Sequence, residues 1–164
     1  MNGVTGIINQ LRARGLKKSL SFILMHLHIQ ASIVIGKRWD ARHCVTTCGQ
    51  IELDQVHVVG PNMTEGHAIV STSPITFYYL SRYFPTSCRD MTFVDIGSRF
   101  GRALLMARRY GFRKIIGVDF ALEACELARK NIANCIGLGD RKIATEVLNL
   151  DAGQFDFPSS DMVI

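Results

Sequence analysis

The chain lacks an internal repeat, a low-complexity tract and any unbroken apolar run of the roughly 20 residues that a membrane-spanning helix needs. These absences argue against a stacked-repeat solenoid, a disordered linker and a multi-span membrane protein. A second CxxC or HxxxH half is missing too. His43, Cys44 and Cys48 lie close together, with His26 and His28 upstream, but without that half no tetrahedral zinc site closes, and no metal is expected. Nor is there a nucleic-acid recognition motif. The Lys and Arg residues behind the formal charge of +5 are spread from Arg12 to Lys142, so nucleic acid is compatible with the charge but not indicated by it.

What is present suits one ordinary globular core: 164 residues, 48% hydrophobic and 20% charged. The five cysteines, Cys44, Cys48, Cys88, Cys125 and Cys135, are odd in number and unevenly spaced. That pattern points to free thiols in a reducing, cytoplasmic compartment. Leu20 to Ile35 is the most apolar stretch, interrupted by His26, His28, Gln30 and Ser32 and flanked by Lys17, Lys18, Lys37 and Arg38. It is read as a buried helix of an N-terminal extension rather than as a membrane helix or a cleavable signal. Arg38 to Thr47 reads as polar and irregular, Ile51 to Val59 as a short strand or extended arm, and Gly60-Pro61-Asn62 as a turn.

Downstream the pattern becomes regular. Ser73 is placed to cap a helix from Pro74 towards Phe84, closed by Pro85. Met91 to Ile96 is an apolar run suited to a buried strand, and it ends in the glycine turn Gly97 to Gly101. Arg102 to Tyr110 has helical spacing, with Gly111 as its terminating glycine. Lys114 to Asp119 reads as a second strand and Ala121 to Ala133 as a helix with one buried stripe. Glu146 to Asp151 reads as a third strand, and Asp161 to Ile164 as the start of a fourth. This alternation predicts an α/β fold, a Rossmann-like doubly wound parallel sheet with helices on both faces, incomplete at its C-terminal end and preceded by a helical extension. Residues 1–64 form the lead-in and 65–164 the sheet domain.

Ligands of such sheets bind outside the carboxyl ends of the strands where the winding reverses. Three places qualify: the turn from Asp95 to Gly101, Asp119 at the end of the second strand, and Asp151 after the third. Glycines let main chain approach a ligand closely, and an acid can accept hydrogen bonds from both hydroxyls of a ribose.

Phe93-Val94-Asp95-Ile96-Gly97-Ser98-Arg99-Phe100-Gly101-Arg102 resembles the first motif of class I S-adenosylmethionine (SAM)-dependent methyltransferases, D-x-G-x-G-x-G, and Ile115-Ile116-Gly117-Val118-Asp119 resembles the second. The resemblance covers roughly residues 65–164. It implies a SAM site of Asp95, Gly97, Ser98, Gly101, Asp119, Phe120, Asp151 and Ala152, with Asp95 and Gly97 beside the methionine end, Asp119 beside the ribose hydroxyls, and Asp151 with Ala152 beside the adenine amino group. It also implies that the chain is the N-terminal part of a longer enzyme whose catalytic residues lie beyond Ile164, so none is named here. The acceptor stays open among a small metabolite, a protein side chain and a nucleic acid.

Each acid has a plainer reading. Asp119 suits a helix cap and Asp151 a solvated loop. A nicotinamide oxidoreductase fits less well, because the turn lacks G-x-G-x-x-G spacing. A non-catalytic binding module of the same fold is the stronger rival, since Arg99 stands where the motif has its middle glycine. There it either obstructs the cofactor, the first expectation, or pairs with the methionine carboxylate.

Overall fold

The computed structural model describes residues 2–49, 71–138, 143–159 and 161–164, with side chains from residue 20 onward. The expected strand over Ile51 to Val59, the turn that follows it and the boundary at 64/65 lie outside the described residues. The chain forms two compact units, Met1–Val34 and Ile35–Ile164.

The first unit consists of the leading part of helix α1, which runs unbroken over Asn2–His43. Arg38 to His43 is helical rather than irregular, and the apolar stretch from Leu20 is not buried: Leu20, Leu24 and Leu27 are 57–59% exposed. The helix ends by a sequence-encoded stop. Cys44 takes a left-handed φ of 55°, the Val45 amide bonds back to the Asp40 carbonyl, and buried Val45 packs beside Trp39. That is the Schellman arrangement with its apolar contact, supplied by cysteine instead of glycine.

In the second unit, α2 (Pro74–Ser81) starts as predicted: the Ser73 hydroxyl accepts a hydrogen bond from the Thr76 amide, with proline at the first helical position. Then follow β1 (Thr92–Ile96), α3 (Arg102–Ala107) with a 3-10 turn to Tyr110, β2 (Lys114–Asp119), α4 (Leu122–Asn134), β3 (Ala144–Asn149) and β4 (Met162–Val163). The strands form one sheet in the order β3-β2-β1-β4, with every pair parallel. The connections through α3 and α4 carry the sheet outward from β1 to β3, and β4 returns to the other side of β1. The winding therefore reverses beside β1.

Helices α3 and α4 cover the same face of the sheet, not opposite faces. Ala103, Leu104, Cys125 and Ala128 pack there with Phe93, Ile115 and Val147. Gly117 permits the closeness: a Cβ on it would lie 2.6 Å from the Leu104 Cδ1 atom. Phe77, Phe84, Phe93, Tyr110 and Phe112 close one end of this core in edge and tilted contacts 5.1–6.1 Å apart, a geometry that adds to their burial.

The end of α1 is fixed to this unit by polar groups. The Asp40 carboxylate accepts hydrogen bonds from the Thr47 and Cys48 amides at 2.6 and 2.7 Å and from the Thr47 hydroxyl, and it pairs with the Arg102 guanidinium at 3.4 Å. His43 Nδ1 donates to the Ile136 carbonyl, and the Ile136 amide donates to the His43 carbonyl. Gly36 makes room for the assembly, because a Cβ there would lie 2.7 Å from Cys48 Sγ.

Candidate cofactor site

The glycine turn is built by hydrogen bonds that β1 and β2 exchange past their ends. The Gly97 and Ser98 amides both donate to the Val118 carbonyl, at 2.8 and 3.0 Å. The Arg99 amide donates to Asp119 Oδ2 at 2.8 Å, and Asp119 Oδ1 accepts from the Ala121 amide at 2.9 Å. One buried carboxylate thus holds both the turn after β1 and Ala121, the residue that precedes α4, while the first turn of α4 itself receives no side-chain cap. Each oxygen keeps a further lone pair for a ligand hydroxyl.

Gly97, Arg99 and Gly101 all have positive φ, at 75°, 45° and 79°. At Gly101 the glycine serves packing, since a Cβ would meet that of Ala128 at 3.2 Å. At Gly97 a Cβ would meet nothing within 4 Å, so this main chain borders open space. That space is a cavity of about 170 Å³ walled by Asp95, Gly97, Ser98 and Arg99, with Ser71, Thr72 and Arg102. Three of the expected site residues, Asp95, Gly97 and Ser98, are therefore brought together. Arg102, the last residue of the motif but not among the expected site residues, joins them, and the Ser71-Thr72 pair is an addition that the sequence did not signal. Ser71 and Thr72 are ordinary loop residues, placed by the Ser71 hydroxyl on the Thr47 carbonyl and by the Thr72 carbonyl accepting from Arg102 Nη1.

The remaining candidates lie outside the cavity wall. Gly101 sits behind the turn, and Phe120 packs with Phe100, Ala121 and Ala124. Asp151 lies two residues past β3, which ends at Asn149 rather than at the acid, and its carboxylate caps a 3-10 turn over Ala152–Gln154 by accepting from the Gly153 amide at 2.8 Å. Small-molecule sites commonly occupy roughly 300–1,000 Å³. The cavity suits the amino-acid end of a ligand rather than a whole nucleoside.

Two polar atoms in the cavity-lining residues are buried and lack a hydrogen-bond partner among the described residues: Ser98 Oγ and Arg99 Nη1. Orphaned buried donors are rare and costly, and the Ser98 hydroxyl is turned towards Gly117, 2.7 Å from where a Cβ there would lie. The Arg99 side chain lies over the Phe100 ring at 5.3 Å, and burial lowers its pKa against the opposing pull of Asp119.

Burial, and then the charge of Asp119, push the Asp95 carboxyl up to about 7. The folded chain thus holds this proton more tightly than the unfolded chain, and the associated stability is lost as pH rises from about 4 towards 7. Asp95→Asn, uncharged at every pH, is expected to melt close to wild type at acidic pH, to gain on it as pH rises from about 4 to 7, and to keep a constant lead above that. Thermal melts across that range check this, and a pH-independent gap would remove the buried charge as the cause.

No protein family, curated protein or solved structure matches the chain.

Proposed function

We propose that this is a SAM-dependent methyltransferase domain binding the amino-acid end of the cofactor in the cavity after β1. The observation carrying the reading is the linkage of the Asp95–Gly101 turn to Asp119 on the adjacent strand, at the point where the sheet reverses. The residues present suit the group. In this reading Asp95 would meet the ammonium, the Arg99 guanidinium the carboxylate, and the remaining lone pairs of Asp119 the ribose hydroxyls. Asp151 and Ala152 would take the adenine end.

The bound cofactor would supply a methyl group on a positively charged sulfur, an electrophile that needs no further activation. The chain's own part is to hold that group in line with an acceptor and to exclude water. Asp95 would give up its proton on meeting the ligand ammonium, so binding should release a proton below about pH 7.

Calorimetric titration of the full chain with S-adenosylhomocysteine tests the reading. Binding is expected to tighten as pH rises towards 7 and to level off above it in wild type, and to lose that dependence in Asp95→Asn. Absence of binding at every pH would favour the second reading, a non-catalytic module of the same fold. That rival rests on Arg99 holding a left-handed backbone where the motif has glycine.

Arg99 also separates obstruction from pairing. Its unpartnered Nη1 favours pairing with the carboxylate. Arg99→Gly should therefore weaken S-adenosylhomocysteine about tenfold, the worth of one charge-assisted hydrogen bond. It should also stabilise the apo chain by about 1 kcal/mol through relief of the left-handed residue. Tighter binding in the variant would establish obstruction instead.

A further inference from the structure

We infer that α1 inserts across an anionic phospholipid bilayer through its stretch from Ser19 to Gly36. The helix over Leu20–His43 is long and apolar enough to cross a membrane, and the second unit accounts only for its end, where Gly36, Asp40 and His43 are buried. Before that end apolar side chains are exposed on opposite sides of the helix, with Phe22, Ile33 and Ile35 half-buried. Leu20, Leu24 and Leu27 share one side at 100° per residue, Met25 and Ile29 lie on the opposite side, and all five are 39–59% exposed. A helix apolar on every side belongs in a protein core or in lipid, and its side chains are not in a core. An interfacial helix would instead show one apolar and one charged face.

Length and charge identify the occupant. From Ser19 to Gly36 no residue is charged, and the helix rises about 27 Å over this stretch at 1.5 Å per residue, close to the hydrocarbon thickness of the thinner cellular bilayers. The polar interruptions His26, His28, Gln30 and Ser32 include no aspartate, glutamate, lysine or arginine, and a continuous helix satisfies its own backbone. No aspartate or glutamate precedes Asp40, whereas Lys17 and Lys18 stand at one end of the stretch and Lys37 and Arg38 at the other. Cations at both ends complement anionic headgroups. The second unit is thereby tethered at a membrane surface immediately beyond Gly36. This inference is independent of the cofactor reading.

The test is flotation of the full chain with vesicles of equimolar phosphatidylcholine and phosphatidylglycerol, followed by separate washes in concentrated salt and alkaline carbonate. The chain is expected to float and to resist both washes. Leu27→Arg, placed at the middle of the span on an exposed side chain, should keep the cooperative melt of the second unit and lose at least roughly tenfold of the carbonate-resistant fraction. Failure to float, or release by either wash, overturns the inference. So does wild-type retention of Leu27→Arg. A discrete dimer in vesicle-free buffer that does not float would make the exposed helix an interface between copies, and would also overturn it.

Discussion

Replacing Asp40 with alanine is expected to cost about 3–5 kcal/mol, the loss seen when one partner of a buried ion pair is removed. The Arg102 side chain is 3% exposed, so its charge has no water to turn to once the carboxylate is gone. Its remaining contacts are the Thr47 hydroxyl at 2.5 Å, the Thr72 carbonyl and Cys48 Sγ, all neutral. The Thr47 and Cys48 amides lose their acceptor in the same step. Against a total stability of about 5–15 kcal/mol this is a large share, and a melting temperature about 10–20 °C lower should result. Asp40→Leu combined with Arg102→Met removes both charges and should recover much of the loss, because apolar side chains of similar volume replace such pairs at little cost. Urea denaturation of the single and double variants is the check. Equal destabilisation of both would show that the hydrogen bonds to Thr47 and Cys48, not the stranded charge, dominate.

That network also shows where the sequence is silent. Asp40 and Arg102 are 62 positions apart, and nothing local to either announces the other. Within α1, the spacing of Gly36 and Asp40 by one helical turn was the available sign that one face approaches another element. It was hidden by Lys37, Arg38 and Arg42, which are exposed and make the stretch look irregular. By contrast, β2 was legible over its full extent, Lys114–Asp119, because a central strand is buried on both sides and reads as a continuous apolar run. The edge strand β3 was legible only in part. Its first residues, Ala144 and Thr145, carry no apolar signal, and Glu146 is turned outward to pair with Lys114 at 2.9 Å.

The acid–glycine turn was readable because its chemistry is consecutive in sequence. The cavity was not, since Ser71 and Thr72 reach it from a separate segment and Arg102 reaches it while bound to Asp40. The same ion pair therefore stabilises the unit and fixes one wall of the candidate site. Asp40 variants that remain folded should bind S-adenosylhomocysteine more weakly even though Asp40 itself does not line the cavity.

Asp119→Ala is expected to show the second large effect, on two separate readouts. The residue is only 5% exposed, and its two oxygens satisfy the amides of Arg99 and Ala121. Alanine leaves both amides without that acceptor, at about 1–3 kcal/mol each, so unfolding free energy should fall by about 2–6 kcal/mol. The Arg99 amide belongs to the strained part of the glycine turn, with φ at 45°, and losing its anchor should let that turn relax. Affinity for S-adenosylhomocysteine should fall a further tenfold to hundredfold, through loss of the ribose contact and of the turn geometry. Titration at low temperature, where the variant stays folded, separates binding from stability. Asp119→Asn refines the result. It retains one carbonyl oxygen but turns an NH2 towards the other amide, and it should fall between alanine and wild type in stability while binding the ribose less well than the carboxylate does. Unchanged affinity in Asp119→Ala would remove this residue from the cofactor site and leave it a purely structural anchor for the Arg99 and Ala121 amides. Unchanged stability would mean that water replaces the carboxylate at both amides.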